Sequence, residues 1–404
     1  MRGTVHLPRT LAIAVAICST LPLSGQVDPL RAEAYFKEAQ AFCDRDGGRL
    51  WGISLCGPMV IADPATGTIA TNQPAPEGPR PRNLGFANAT TKWGGVEWST
   101  FVWKVLASFD KPSRGLLMMH ELFHRVERPL GLMTNDGQNG HLDTLEGRYW
   151  QLLEWRALAR ALGSSGTERT AAVQDALAFR FARRQLFPAA AANEVLEEIR
   201  EGLAHYTATV ITASSPEDAA SKAILQLADF AQRESLVRDF GYASGSAYGI
   251  LLDAWSPGWT RQLKGPEDLG ERLRIAGGIA VAGFSEVIIG PTTTESIDYR
   301  EGTDPPYVRK LSGLHKFDNI TLKRGVADSL DLYNWYKQVI AGQLATSRRQ
   351  VAIVIADEAG ADHSRFVVSE AWPVKYEPSE LNAKGNEVII ETLELANEGI
   401  ERVQ

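Results

Sequence analysis

The sequence predicts a multidomain α+β protein in which a mainly helical domain precedes an antiparallel β-sandwich or barrel with one helix. Before about residue 270, the 404-residue chain is rich in Ala, Leu, Arg and Glu, and apolar residues recur with helical period. After Gly277, Val, Ile and Thr alternate with polar residues, which is the period-two pattern of strands. We therefore expect three segments, residues 1–25, 26–275 and 276–404.

The first segment has the order of a secretory signal peptide. Arg2 and Arg9 come before or at the start of an apolar run from Leu11 to Ile17, and the small residues Ser24 and Gly25 follow. This order predicts export to the periplasm or the medium. The run is too short to span a bilayer well, so we expect no transmembrane segment once the signal is removed. A buried N-terminal helix is the alternative interpretation.

Composition excludes several classes of protein. With 44% hydrophobic and 23% charged residues, the chain is globular rather than disordered or collagen-like. A net charge of -7 argues against a sequence-specific nucleic-acid binder, which needs excess Lys and Arg. Three cysteines are too few for a dense disulfide framework, and Cys18 would leave with the signal peptide. Cys43 and Cys56 either pair in an oxidising compartment or stay as buried thiols.

The helical domain includes a short β segment early in its sequence. Met59–Thr71 is expected to form a hairpin with its turn at Pro64–Gly67. Amphipathic helices are predicted over Leu142–Leu162, Thr167–Phe187 and Ala190–Ile211.

The sequence His-Glu-Leu-Phe-His at 120–124 is a metal-binding pattern. On a helix, His120 and His124 lie one turn apart on one face, where both imidazoles can bind one Zn²⁺. Glu121 can then act as general base toward a water at the metal. We expect Ser113 to cap this helix and Pro129 with Gly131 to end it. The alternative is a chance match on a core helix whose histidines only pack.

A catalytic zinc needs a third protein ligand and an open position. The residues leave three candidates for this ligand, which are Glu201, Glu146 and His141. His141 is the weakest of them, because a loop places a ligand less rigidly than a helix does.

The motif at 120–124, together with Glu201-Gly-Leu-Ala-His-Tyr206, resembles the gluzincin-type zinc metallopeptidases. The resemblance implies a zincin-like domain that hydrolyses peptide bonds, with Glu201 as third zinc ligand. Arg200 stands where the family commonly has Asn. The 77 residues from His124 to Glu201 (201 − 124) exceed the interval in the best-known gluzincins and require an inserted helical pair.

A second segment, Tyr242-Ala-Ser-Gly245, is similar to the Tyr-x-Lys-Gly segment of some gluzincin aminopeptidases. This similarity implies a catalytic role for Tyr242, whose hydroxyl would stabilise the oxyanion, although Ser244 replaces the lysine. A loop or core tyrosine is the alternative. His205 is another possible donor, but we expect it to be a surface residue.

The C-terminal domain carries no catalytic constellation. One helix is predicted over Leu330–Ile340, capped by Ser329 and ended near Gly342. Strands are predicted over Val281–Ile289, Ile320–Lys323, Val351–Ala356, Phe366–Trp372 and Glu387–Leu395.

Seven short segments of this domain are similar, in order, to the tail-tube protein family of contractile-tailed phages and related injection systems. They are Ala282–Val287, Tyr299–Gly302, Tyr307–Leu311, Asn319–Gly325, Asp331–Trp335, Trp372–Tyr376 and Leu381–Glu387. The resemblance implies a structural subunit that forms homo-hexameric rings, stacks into a hollow tube and meets tail sheath or baseplate proteins. The family's usual N-terminal lead-in is replaced, and Arg272–Gly278 is expected to imitate the end of its first strand.

The two resemblances predict different locations. A signal peptide exports the chain, whereas a tube subunit assembles in the cytoplasm or in the virion tail. Three hypotheses follow: a tail-tube subunit fused to a zinc peptidase domain, a secreted zinc metallopeptidase acting on peptides, or a chimeric reading frame joined near Gly277.

Overall fold

The computed structural model describes residues 26–279, 284–303, 306–325, 330–356, 362–378 and 390–403. The predicted signal peptide, the cap at Ser329 and the segment Leu381–Glu387 lie outside these residues, as do the first residues of the predicted strands at 281 and 387. A large apolar core lies among residues 27–279, and a separate core lies among residues 320–395. None of the described helices combines the length and apolar character that a membrane crossing requires.

Helices dominate residues 26–279. They are α1 (Pro29–Asp46), α2 (Trp103–Ser108), α3 (Lys111–His124), α4 (Glu127–Leu130), α5 (Leu145–Gly163), α6 (Gly166–Leu186), α7 (Ala190–Glu197), α8 (Leu203–Thr212), α9 (Pro216–Phe230), α10 (Phe240–Trp255) and α11 (Leu269–Ala276). The helices predicted at 142–162 and 167–187 are confirmed as α5 and α6. The helix predicted at 190–211 is interrupted, because a π-helical turn, Glu198–Gly202, joins α7 to α8.

One four-stranded sheet accompanies these helices. Its strands are β1 (Met59–Asp63), β2 (Thr68–Thr71), β3 (Ala89–Trp93) and β4 (Val96–Val102), in the order β2-β1-β4-β3. The predicted hairpin is confirmed, since β1 and β2 pair antiparallel across the turn. Strand β1 runs parallel to β4, and β3 forms an edge of the sheet.

The N-cap of helix α3 lies three residues before the predicted one. Asp110, not Ser113, is the N-cap, and its carboxylate accepts a hydrogen bond from the Ser113 backbone N–H at 2.9 Å. The prediction was wrong because Ser and Asp are equally good caps, and the sequence offers both within one turn. The predicted end was also wrong, since α3 ends at His124. Pro129 lies in the short α4, and it is α4 that ends at Gly131, in a left-handed conformation (φ 72°).

Cys43 and Cys56 form a disulfide, which decides between the two states that the sequence left open. It ties α1 to the loop before β1, and its Cα atoms are 5.4 Å apart. Arg125, the residue after His124, donates hydrogen bonds to the backbone carbonyls of Leu55 and Cys56 in that loop. The disulfide therefore anchors the loop that contacts the end of α3.

The C-terminal part is an antiparallel sheet with a helix packed on it. Helix α12 is Asp331–Ile340 and α13 is Leu344–Ser347; the strands are β5 (Glu286–Ile289), β6 (Thr292–Tyr299), β7 (Arg309–Phe317), β8 (Ile320–Gly325), β9 (Arg349–Ala356), β10 (Asp362–Pro378), β11 (Ile390–Ala396) and β12 (Gly399–Arg402). The main sheet has the order β12-β10-β11-β8-β5, and β9 also pairs with β10. Leu332 and Trp335 of α12 are buried in its core. Each strand predicted in this part has a counterpart, but β5 begins only at Glu286, so the described residues Phe284 and Ser285 of that prediction are not strand. The α12 prediction is confirmed to within one residue.

Strands β6 and β7 form a hairpin outside that sheet, which the sequence analysis did not predict. Nearly all of its side chains are exposed, so the hairpin has no buried face to give an apolar alternation. Its threonine-rich first strand therefore lacks the period-two signal.

The segment Arg272–Gly278 does not imitate a strand, so that expectation was wrong. Most of it belongs to α11, where Leu269 and Leu273 are fully buried in the core of the helical part. Burial of these leucines, four residues apart on one helix face, outweighs any strand tendency. The two parts also meet through a buried ion pair between Asp175 of α6 and Arg365 of β10.

Candidate metal centre

Helix α3 presents both histidines of the motif at 120–124 to the same place. The Nε2 atoms of His120 and His124 are 3.0 Å apart, and their rings are nearly perpendicular. His120 is buried, and His124 is mostly buried. The spacing of one helical turn thus brings two nitrogen donors together, as the sequence predicts.

The third predicted ligand, Glu201, reaches the same point from the π-helical turn. Its Oε2 lies 3.2 Å from His120 Nε2 and 3.6 Å from His124 Nε2. One ligand atom from each of the three residues lies within 4.8 Å of the others. Two imidazole nitrogens and one carboxylate oxygen are a donor set that catalytic zinc sites use, so the residues fit this metal.

The two other candidates for the third ligand lie elsewhere. Glu146 is exposed in the first turn of α5. His141 is bound to a different carboxylate, with its Nε2 2.9 Å from Glu194 Oε1. Of the three candidates, the structure brings Glu201 to the histidines.

Glu127 is a site residue that the sequence analysis missed. Its Oε1 lies 2.8 Å from Nδ1 of His124, on the far side of the ring from Glu201. Burial would lower the pKa of His124, but Glu127 and Glu201 outweigh it and raise that pKa to about 10. The sequence did contain a signal for this contact. Glu127 follows His124 by three residues, which is a spacing at which side chains on a helix are neighbours.

Glu121 is buried beside the histidines and lines the adjoining cavity. Burial raises its pKa to about 7. Its backbone carbonyl accepts a hydrogen bond from Ser99 Oγ of β4 at 3.0 Å, which joins α3 to the sheet. A carboxyl group with a pKa near neutrality can both accept and return a proton.

Tyr242 lies in the first turn of α10 and packs against the site. Its ring is parallel to that of His120, with the centroids 5.4 Å apart, and Phe230 stacks nearby at 5.9 Å. Burial, followed by the neighbouring Glu201 carboxylate, raises the pKa of its hydroxyl. The hydroxyl therefore stays protonated and able to donate a hydrogen bond.

His205 is not the surface residue that the sequence analysis expected. It is buried on α8, with its ring centroid 6.0 Å from that of His120 and 5.6 Å from that of Tyr242. Burial, more than the nearby His120, lowers its pKa to about 3, so the ring is neutral. The expectation was wrong because α8 is enclosed by α3, α9 and α10, and most of its residues are buried.

A cavity of about 800 Å³ opens at these residues. Its lining includes Ala89 and Thr90 of the edge strand β3, and also Arg200. A second cavity of about 430 Å³ shares Glu201, Arg200 and Tyr242 with the first. The arrangement thus combines a metal-type donor set, a buried carboxyl group, a protonated tyrosine and an adjoining cavity.

Residues 272–401 match the family model described as T4-like virus tail tube protein gp19. This match supports the tail-tube resemblance of the C-terminal part. It starts after the last residue of the candidate metal centre, so it does not bear on that site. No curated protein matches the chain.

Several solved structures resemble about 30% of this chain. The baseplate of the anti-feeding prophage matches with 25% identity and a TM-score of 0.26, over 31% of this chain and 81% of that chain. A sheath–tube complex of an extracellular contractile injection system matches with 21% identity and a TM-score of 0.25, over 30% and 80%. Hcp1 from Flavobacterium johnsoniae matches with 14% identity and a TM-score of 0.19, over 28% and 85%.

Proposed function

We propose that the C-terminal part acts as a structural subunit of a tail tube or a related contractile injection system. The observation that carries this proposal is the match of residues 272–401 to the tail-tube family model. The resemblance implies homo-hexameric rings, with tail sheath or baseplate proteins as partners. The C-terminal part has no proposed catalytic role.

The hairpin β6–β7 supports assembly. Ile297, Leu311 and Leu314 are 52%, 47% and 73% exposed, and all three lie on this one hairpin. Exposed apolar side chains that cluster in this way are typical of interaction surfaces. An exposed two-stranded hairpin is marginally stable alone, and a partner subunit would bury its apolar residues.

Electron microscopy and mass measurement of residues 26–404 test this proposal. We expect hexameric rings. Leu314→Glu should weaken ring formation, because it places a charge in the proposed interface. Leu225→Glu, at an apolar residue of α9 that is 70% exposed, is the matched control and should leave assembly unchanged. A purely monomeric product at all concentrations would contradict the proposal.

A second function is favoured by the donor set in the helical part. We propose that residues 26–279 form a zinc-dependent peptide hydrolase, with His120, His124 and Glu201 holding the metal. The supporting observation is that three suitable ligand atoms lie within 4.8 Å of one another. Zinc bound there would supply Lewis-acid activation of water and of a substrate carbonyl.

The chain's own residues would do the rest of the chemistry. Glu121 takes a proton from the attacking water and returns it to the leaving amine. Tyr242 donates a hydrogen bond to the developing oxyanion. The edge strand β3 offers backbone groups along the cavity, to which an extended peptide can pair as an added strand.

Zinc analysis and peptide cleavage test the second proposal. We expect one zinc per chain and hydrolysis of unstructured peptides. Glu121→Gln should abolish hydrolysis and leave the zinc content unchanged, whereas His120→Ala should remove both. Hydrolysis that survives in Glu121→Gln would show that the activity comes from another residue or a contaminant.

A further inference from the structure

The helical part contains a buried charge cluster that the proposed chemistry does not use. Arg183, Glu154, Glu194 and Glu198 are 0% exposed, and Arg180 is 3% exposed. Charged groups are almost never buried so deeply unless they are paired, because their desolvation is costly. These five side chains form what we call the arginine clamp.

The clamp consists of two arginine forks on α6. The two terminal nitrogens of Arg180 contact the two carboxylate oxygens of Glu198 at 2.7 and 2.5 Å. Arg183 contacts the two oxygens of Glu194 at 2.7 and 3.0 Å. Glu154 of α5 binds both arginines and also accepts the Tyr248 hydroxyl at 2.8 Å. A bidentate pair of this kind fixes the orientation of the carboxylate relative to the guanidinium as well as the distance between them.

The two arginine forks bind glutamates that lie shortly before Glu201 in the sequence. Glu194 lies on α7, Glu198 is the first residue of the π-helical turn, and Glu201 follows three residues later. In an α-helix, residues three apart point to neighbouring places on one face. The wider π turn separates their directions, so Glu198 can face Arg180 while Glu201 faces the histidines. Single π turns are frequent at functional sites.

The opposite side of the π turn is held by glycine contacts. A Cβ atom on Gly202 would lie 2.6 Å from the Gly241 carbonyl oxygen and 2.8 Å from Gly245 Cα. Helix α10 therefore packs directly on the π turn. The turn is enclosed between α6 and α10, and little freedom remains for the backbone that carries Glu201.

From this arrangement we infer that Arg180 and Glu198 are positioning residues for the metal ligand Glu201. The inference rests on the proposed zinc site. Their fork keeps the π turn in the form that directs the Glu201 carboxylate to His120 and His124. Outer residues that orient a ligand typically change metal affinity about 10- to 100-fold when they are replaced.

The test compares two variants of the same cluster in residues 26–404. Glu198→Gln keeps the side-chain shape but breaks the fork on the π turn. Asp268→Asn is the matched control, because the side chain of Asp268 bonds Arg180 and Arg184 from the start of α11 and leaves the hydrogen bonds between Arg180 and Glu198 in place. Asn can still cap α11 as Asp268 does. The readouts are the Zn²⁺ dissociation constant from chelator competition and the visible spectrum of bound Co²⁺.

We expect Glu198→Gln to raise the dissociation constant about tenfold or more and to change the Co²⁺ spectrum. Asp268→Asn should leave both unchanged. If Glu198→Gln does not fold, Arg180→Lys, which keeps the charge but loses the fork, should give the same two effects. The inference would be overturned, while the proposed hydrolase would stand, by either of two results. One is a Zn²⁺ affinity of the folded Glu198 or Arg180 variant equal to that of wild type. The other is an equal loss of affinity in that variant and in Asp268→Asn. A wild-type chain that binds no zinc would overturn the proposed hydrolase and this inference with it.

Discussion

Three glycines decide how closely α10 approaches the candidate metal centre. A Cβ atom on Gly245 would lie 2.4 Å from Gly202 Cα, and one on Gly241 would lie 2.8 Å from the Glu197 carbonyl oxygen. The contacts are with backbone, which cannot move aside as a side chain can. Because Tyr242 lies between Gly241 and Gly245, this approach brings its ring against His120.

At the residue scale, we expect Gly245→Ala to lower the free energy of unfolding by about 1–3 kcal/mol, since the methyl group forces the helices apart. Urea denaturation measures this change. The matched control is Gly163→Ala at the end of α5, where a Cβ would meet only Ile224 Cδ1 at an ordinary 3.7 Å. Equal stability of wild type and Gly245→Ala would show that the packing relaxes.

Glu127 gives a second prediction at this scale. Glu127→Ala removes the partner of His124 Nδ1, so we expect zinc affinity to fall about 10- to 100-fold. Chelator competition measures the affinity. Glu146→Gln, at the exposed alternative ligand, should leave it unchanged. A loss of zinc in Glu146→Gln would transfer the third-ligand role from Glu201 to Glu146.

At the scale of elements, the sequence was informative where one face of an element is buried. The helices α5 and α6 and the hairpin β1–β2 have such a face, and their bounds were predicted to within a few residues. The π turn was not predicted, because most residues of α8 are buried and no single apolar face exists on which the phase shift of one extra residue could be seen. The hairpin β6–β7 was missed for the same physical reason, since it has no buried face.

The candidate site shows the same limit. The spacing at 120–124 was enough to place His120, Glu121 and His124 together on one helix. Spacing alone left Glu201, Glu146 and His141 open as third ligand, and only the resemblance favoured Glu201. The choice depends on how α7 and α8 pack against α3, which is a tertiary property that no local pattern contains.

The disulfide links two elements, and we expect its removal to lower stability by about 2–4 kcal/mol, because the unfolded chain gains freedom. The variant with both Cys43→Ser and Cys56→Ser tests this in chemical denaturation. Wild type with a reducing agent is the control and should lose a similar amount. A reductant that destabilises the double variant as well would indicate an effect outside this disulfide.

At the scale of the whole molecule, the chain has two separate main cores that meet at a buried ion pair, Asp175 with Arg365. We expect two transitions in calorimetry, of which zinc raises the temperature of only one, the one that belongs to the helical part. A single cooperative transition would contradict this prediction. Arg365→Gln should increase the difference between the two transition temperatures, because it removes the ion pair that couples the two parts.

The join between the two parts also needs a direct check at the nucleotide level. One sequencing read of the source DNA across codons 260–300 should show a continuous reading frame if the fusion is real. A break near Gly277 would instead leave the helical part and a shortened tail-tube-like part as separate products.

The position of α11 has a practical consequence for dissecting this chain. The family match starts at Arg272, inside α11, and cutting the chain there would remove Leu273 from the core that it helps to fill. Such a cut would destabilise the first fragment. The second fragment would begin with the last residues of α11, without the core against which they pack. Ile279 is the last described residue that packs into the first core, so the dividing point for recombinant expression lies after it.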